Sequence, residues 1–176
     1  LVNAPAQSAK YENDPGITRT IFGTSQTIKE RVTTHDGIYT VVDEKNENYD
    51  VVRRTITDMN GSSFVSVFKY DDKHRLIRTQ NYRDIITDYT YNSVGMQTSV
   101  KSYYYDDFNR SNIPEPTHYF YQETTYDSTG EFATEVGDNR SEDIKTTNTY
   151  NKTCGLLLGT TSPNGQSTTY QYEDSN

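Results

Sequence analysis

The run Tyr150-Asn151-Lys152-Thr153-Cys154-Gly155-Leu156 leads through Thr160-Thr161-Ser162-Pro163-Asn164-Gly165-Gln166 to Tyr170-Gln171-Tyr172-Glu173. It reads as one phrase: a tyrosine, an Asx residue, a polar turn closed by glycine, a β-branched run, an Asn-Gly corner and a tyrosine again. Degenerate copies open at Tyr70-Asp71, Tyr91-Asn92 and Tyr126-Asp127, with a weaker one at Tyr49-Asp50. The steps from Tyr49 to Tyr172 are 21, 21, 35, 24 and 22 residues. Such a period marks a repeat architecture, in which each unit buries its apolar face by stacking on its neighbours.

Each position has a physical job. The tyrosine ring can lie against a sheet face while its hydroxyl stays wet or finds a partner. The following Asp or Asn can accept a backbone hydrogen bond from two residues on, forming an Asx-turn. Gly95, Gly130 and Gly155 then suit a left-handed corner that resumes the strand; the Asp71 copy carries His74 at that place.

Between corners the chain alternates with period two, the signature of half-buried strands. A lead-in punctuated by Pro5 and Asp14-Pro15-Gly16 gives way to Ile17–Phe22, which ends at Gly23. Gln26 to Thr34 reads as one run, turning at His35-Asp36-Gly37 into Ile38–Val42. Hairpins follow around Asp58-Met59-Asn60-Gly61, Arg83-Asp84, the long connection Asp106 to His118, Gly137-Asp138-Asn139 and Pro163-Asn164-Gly165. No window carries a helical apolar stripe. The expected fold is all-β: consecutive antiparallel hairpins forming a curled sheet or part of a hollow shell. Residues 1–48 are expected to be a β-rich lead-in and 49–176 the repeats, starting near 49, 70, 91, 126 and 150.

Composition bounds the function. Hydrophobic residues make up 31% of the 176, with no Trp, and mean hydropathy is −0.93. The 16 tyrosines and abundant Thr and Val nevertheless suit a thin pleated sheet with one face wet. A net charge of −8 argues against nucleic acid, whose phosphates need clustered Lys and Arg, and against anionic membrane surfaces. No segment approaches the roughly 20 apolar residues of a spanning helix. The single Cys154 excludes an intramolecular disulfide framework. The chain opens at Leu1 without Met or a signal segment and stops where another phrase would begin, so a fragment of a longer polypeptide is expected.

Taken together, Tyr126-Asp127-Ser128-Thr129-Gly130, the Tyr150–Leu156 run and Pro163–Tyr172 resemble the YD-repeat (Rhs) family, from about Val51 onward. The resemblance implies strips of β-hairpins that spiral into a hollow shell, enclosing toxins in bacterial relatives or building adhesion ectodomains in others. It also implies a secreted or cell-surface location, with the rest of the shell or a toxin cargo as partner. The family's self-cleaving core should show an Asp-rich, Pro- and Gly-containing signature, and this sequence has none.

Residues 103 to 121 are the oddest local feature. Tyr103, Tyr104, Tyr105, Asp106, Asp107, Tyr119 and Tyr121 combine rings and carboxylates in the way a glycan site does; the alternative is cross-strand pairs flanking a lengthened hairpin. Asp71-Asp72, Asp106-Asp107 and Asp58 with Asn60-Gly61 lack the spacing of a calcium loop, and His35, His74 and His118 lack metal-ligand spacing. Cys154 sits in a turn without a recognisable base. The sequence therefore assigns no catalytic residue, metal ligand or cofactor. The expected function is a non-catalytic scaffold segment that encloses or presents a toxin or effector; the rival is a carbohydrate-binding, adhesin-like module using the 103–121 loop. The expected structural motif is Tyr70, Asp71, Tyr91, Asn92, Gly95, Tyr126, Asp127, Gly130, Tyr150, Asn151, Gly155, Asn164, Gly165, Tyr170 and Tyr172.

Overall fold

In the computed structural model, which describes residues 8–110, 112–139 and 144–172, the chain is all-β. Pro5 of the lead-in and Glu173-Asp174 of the last phrase lie outside the described residues. The strands are Ser8–Asn13 (β1), Thr18–Ile21 (β2), Thr24–Thr27 (β3), Glu30–His35 (β4), Thr40–Lys45 (β5), Val51–Thr57 (β6), Ser63–Tyr70 (β7), Leu76–Gln80 (β8), Ile85–Tyr91 (β9), Gln97–Tyr104 (β10), Phe120–Tyr126 (β11), Ala133–Asp138 (β12), Lys145–Tyr150 (β13), Leu157–Thr161 (β14) and Ser167–Thr169 (β15). Thirteen of them form one sheet in the order β1-β4-β5 and then sequentially to β15, while β2 and β3 pair only with each other. The order has two ends, β1 and β15, so the sheet is not closed into a barrel.

One corner explains the meander. At Asn46, Asp58, Asp71, Asn81 and Asn92 the side-chain Oδ1 accepts the backbone N–H two residues on and again four residues on. The fourth corner residue donates its N–H to the Asx carbonyl and takes a positive φ: Tyr49 (64°), Gly61 (83°), His74 (61°), Asp84 (57°) and Gly95 (96°). From β5 to β10 the corner thus recurs at every strand junction, about twice as often as the Tyr-Asx phrase. The weak copy at Tyr49-Asp50 is placed differently from the others. Tyr49 occupies the left-handed position of a corner opened by Asn46, whereas Tyr70 precedes the Asp71 that opens its own.

The tyrosines at the ends of repeats act as latches. Tyr70 Oη donates to the carbonyl of Val51 (3.1 Å), Tyr126 Oη to that of Gln97 (2.8 Å) and Tyr172 Oη to that of Leu157 (2.9 Å). Each acceptor is the first residue of the strand just before the one that leads to the tyrosine, β6, β10 and β14. Corners also touch: Asn92 Nδ2 donates to Gly130 O at 2.8 Å, and His74 Nδ1 lies 3.1 Å from Asp50.

The chain divides into two compact units, residues 1–87 with 103–117, and residues 88–102 with 118–176. The first has the core: Ile21, Phe22, Ile28, Val52, Val67, Ile86 and Tyr103, with Ile17, Val65, Tyr105, Phe108 and Ile113 packed against it. The β2–β3 hairpin covers one face of this sheet. Its Arg19 makes two hydrogen bonds (2.6 and 2.9 Å) to Glu44 of β5, which is 1% exposed and also pairs with Arg53 of β6 at 3.3 Å. Phe22 N donates to Phe108 O at 2.6 Å, so the 103–113 segment ties onto the same hairpin. The expected single run from Gln26 to Thr34 is broken into β3 and β4, because Ile28 turns inward and becomes 1% exposed. Burial of that side chain outweighs strand continuity.

The second unit has no fully buried apolar residue among those described. Hydroxyl and amide pairs link its strands instead, including Thr90 with Ser99 (2.6 Å), Thr160 with Asn148 (3.0 Å) and Thr161 with Ser167 (2.9 Å). Gly137 and Asp138, expected in a turn, belong to strand β12.

Candidate functional site

The 103–121 residues divide between the two units, and their roles differ. Tyr103, at the end of β10, is only 6% exposed and belongs to the core. Tyr105 packs against that core, donates its N–H to Asp84 O (2.8 Å) and accepts Arg110 Nη1 at its hydroxyl (3.1 Å). Asp107 accepts the Asn109 N–H at 3.0 Å and lies 3.5 Å from Arg110 Nε, while Asp106 is exposed. Of Tyr103, Tyr104 and Tyr105, only Tyr104 projects, at 64% exposure. Ser111 lies outside the described residues. Alternation held the signal: Tyr103 and Tyr105 share one side of an extended chain and Tyr104 takes the other.

In the second unit, Tyr119 is exposed and carries Lys101 Nζ 4.4 Å above its ring, a cation–π arrangement. Tyr121 opens onto a different feature, a cavity of about 480 Å³ lined also by Glu123, Thr125, Glu135, Gly137, Asp138, Asn139 and Lys145. Antiparallel pairing builds it. Glu123, Gly137 and Lys145 lie opposite one another on β11, β12 and β13, with Thr125, Glu135 and Thr147 forming the next row. Gly137 leaves the middle of the first row without a side chain; a Cβ there would meet Lys145 Cγ at 3.1 Å. Lys145 Nζ bonds Glu135 at 2.9 Å. Asn139 fixes the β11 end of the cavity. It donates its N–H to Tyr121 O, accepts the Tyr121 N–H at Oδ1, and donates Nδ2 to Tyr119 O, all within 2.9 Å.

The arrangement offers an aromatic ring beside carboxylates, an amide and an ammonium around a vacant centre, which suits a polyhydroxylated ligand. Of the residues expected to bind, only Tyr121 lines this cavity. The others were missed because cross-strand register brings Glu123, Gly137 and Lys145 together, and neighbouring sequence does not reveal register.

The acidic clusters are used by the backbone. Asp58 and Asp71 satisfy corner N–H groups, and at Asp127 the Thr129 hydroxyl (2.7 Å) heads the interactions that hold the carboxyl below its usual range. His35 bonds Thr40 at 3.0 Å, and Cys154 is exposed in its turn. A scan against models of known protein families and a search of curated proteins found no match for this chain.

Proposed function

We propose that the chain is a non-catalytic YD-repeat scaffold segment of a secreted or surface bacterial protein, building a β-shell that encloses or presents a toxin or effector. The observation that carries this reading is the recurrence of one corner and one tyrosine latch. The same backbone device serves to add strand to strand, and the latches at Tyr70, Tyr126 and Tyr172 tie the strand before each of them into the sheet. A repeat whose polar groups are committed to its own backbone is suited to extension. Limited proteolysis of the parent polypeptide with mass-spectrometric readout tests enclosure. An enclosed segment resists protease while the hairpins are folded and is cut once they are denatured; equal digestion in both states removes the shell reading.

The cavity on β11, β12 and β13 favours a second reading, a carbohydrate-binding module. It narrows the expected contact from the 103–121 residues to Tyr121. A glycan array probes it: Tyr121→Ala should abolish saturable binding and Tyr104→Ala should leave it intact. Loss in Tyr104→Ala alone would return the site to the projecting loop.

A further inference from the structure

The first unit has a second cavity, of about 200 Å³, beside β7 and the corner between β8 and β9. Phe64, Val65, Val67, Tyr82 and Phe108 make its apolar walls. Phe64 and Tyr82 meet edge to face, with ring centroids 5.2 Å apart. Drug-sized ligands fill pockets of roughly 300 Å³ upward, so the occupant that fits here has few heavy atoms.

One wall is polar and incompletely paired. Gln80 stands opposite Val67 across β7 and β8 and is 2% exposed. Its Nε2 donates to Tyr105 O at 2.7 Å and to Asp84 Oδ1 at 3.3 Å. Both of those oxygens accept, which fixes the orientation of the amide. Gln80 Oε1 is then left buried without a hydrogen-bond partner, a rare condition for a buried acceptor. Asp84 lines the same cavity and holds the left-handed position of its corner at φ 57°, where glycine stands in the corners of Gly61 and Gly95. An L residue there carries a steric cost that glycine avoids. What Asp84 adds in return is a carboxylate at the cavity wall.

We propose that this cavity binds a small aliphatic primary ammonium ion, which donates N–H groups to Gln80 Oε1 and the Asp84 carboxylate and lays its alkyl chain against Phe64, Val65 and Phe108. Donor count and charge select this class. An ammonium group has three N–H donors and no acceptor, matching a wall whose unpaired atom is an acceptor. An anion would meet Asp84 with like charge and leave Gln80 Oε1 unserved. Aromatic faces attract cations, and Tyr82 carries the Arg83 guanidinium 5.3 Å from its ring centroid. The net charge of −8 draws cations toward the chain.

Titration with butylammonium chloride at constant ionic strength, followed by two-dimensional amide NMR, tests the proposal. So small a ligand binds weakly, and a dissociation constant of about 1–10 mM is expected. The Gln80 side-chain amide and the backbone amides of Val65 and Val67 should shift saturably. Butanol keeps the chain without the charge, and tetramethylammonium keeps the charge without N–H donors; each should bind at least about tenfold more weakly. Asp84→Gly removes the carboxylate from a corner that suits glycine. It should weaken butylammonium binding about tenfold while the denaturation midpoint holds or rises. Tyr121→Ala, in the other unit, should leave the titration unchanged. Four outcomes would each overturn the proposal: no saturable shift, butanol binding as well as butylammonium, full affinity in Asp84→Gly, or shifts confined to β11, β12 and β13.

Discussion

The left-handed corner position shows how one residue's backbone decides whether a strand turns cleanly. Gly61, Gly95, Gly130 and Gly155 hold it without a Cβ, whereas Tyr49, His74 and Asp84 hold it against the steric cost of an L side chain. His74 offsets part of that cost through Asp50, and the Asp84 carboxylate accepts Gln80 Nε2 at 3.3 Å; Tyr49 is 59% exposed. Tyr49→Gly should therefore raise stability, by about 1 kcal/mol, read as a higher chemical-denaturation midpoint. Gly130→Ala runs the other way, because its Cβ would stand 3.1 Å from Val94 Cγ2 and 3.2 Å from Asn92 Nδ2, the group that bonds Gly130 O. It should destabilise by about 1–2 kcal/mol. At the latch, Tyr126→Phe keeps the ring and removes the bond to Gln97 O; a loss of about 1 kcal/mol is expected in the same assay. An unchanged midpoint in Tyr126→Phe would show that water serves that carbonyl equally well.

At the scale of an element, the β2–β3 hairpin is held to its sheet by a charge network as well as by Ile21 and Phe22. Burial raises the Glu44 carboxyl pKa, but the hydrogen bonds and charge of Arg19, with the charge of Arg53, outweigh it and leave the pKa below its ordinary value. A carboxyl with a depressed folded-state pKa contributes stability that is complete above the unfolded value, about 4.3, and is lost as pH falls through the folded value. Thermal stability should thus decline on acidification below about pH 4.3, and Glu44→Gln should flatten that decline. Glu44→Ala leaves Arg19 and Arg53 without their shared carboxylate and should cost about 1–3 kcal/mol, less than for a fully buried pair because the two arginines are 38% and 25% exposed. If Glu44→Gln instead follows the unmodified pH curve, other carboxyls govern acid unfolding. The hairpin also marks a limit of sequence reading. The Ile17–Phe22 run and its Gly23 stop were visible, but the sequence gives no local reason for Arg19 to meet Glu44, 25 residues away.

For the molecule as a whole, strands and corners were readable because both depend on neighbours: period-two alternation and Asx residues with a left-handed partner a few positions on. The candidate cavity was not, since Glu123, Gly137 and Lys145 converge only through strand pairing, and Gly137 looked like a turn residue when its role is to leave space. The uneven core was hidden for a related reason. Tyr, Thr and Val occur along the whole chain, yet the buried apolar residues Ile21, Phe22, Ile28, Val52, Val67, Ile86 and Tyr103 all belong to the unit of residues 1–87 and 103–117. Stability in such a meander should be graded, because local opening is easiest where few apolar contacts hold a strand. Hydrogen-exchange mass spectrometry should find the slowest amides in β6, β7 and the start of β9, around Val52, Val67 and Ile86. The fastest should lie in β14 and β15, whose ladder is backed by no fully buried side chain. Uniform exchange across β6 to β15 would mean that the sheet opens as one cooperative body, with the latched corners rather than the apolar core setting its stability.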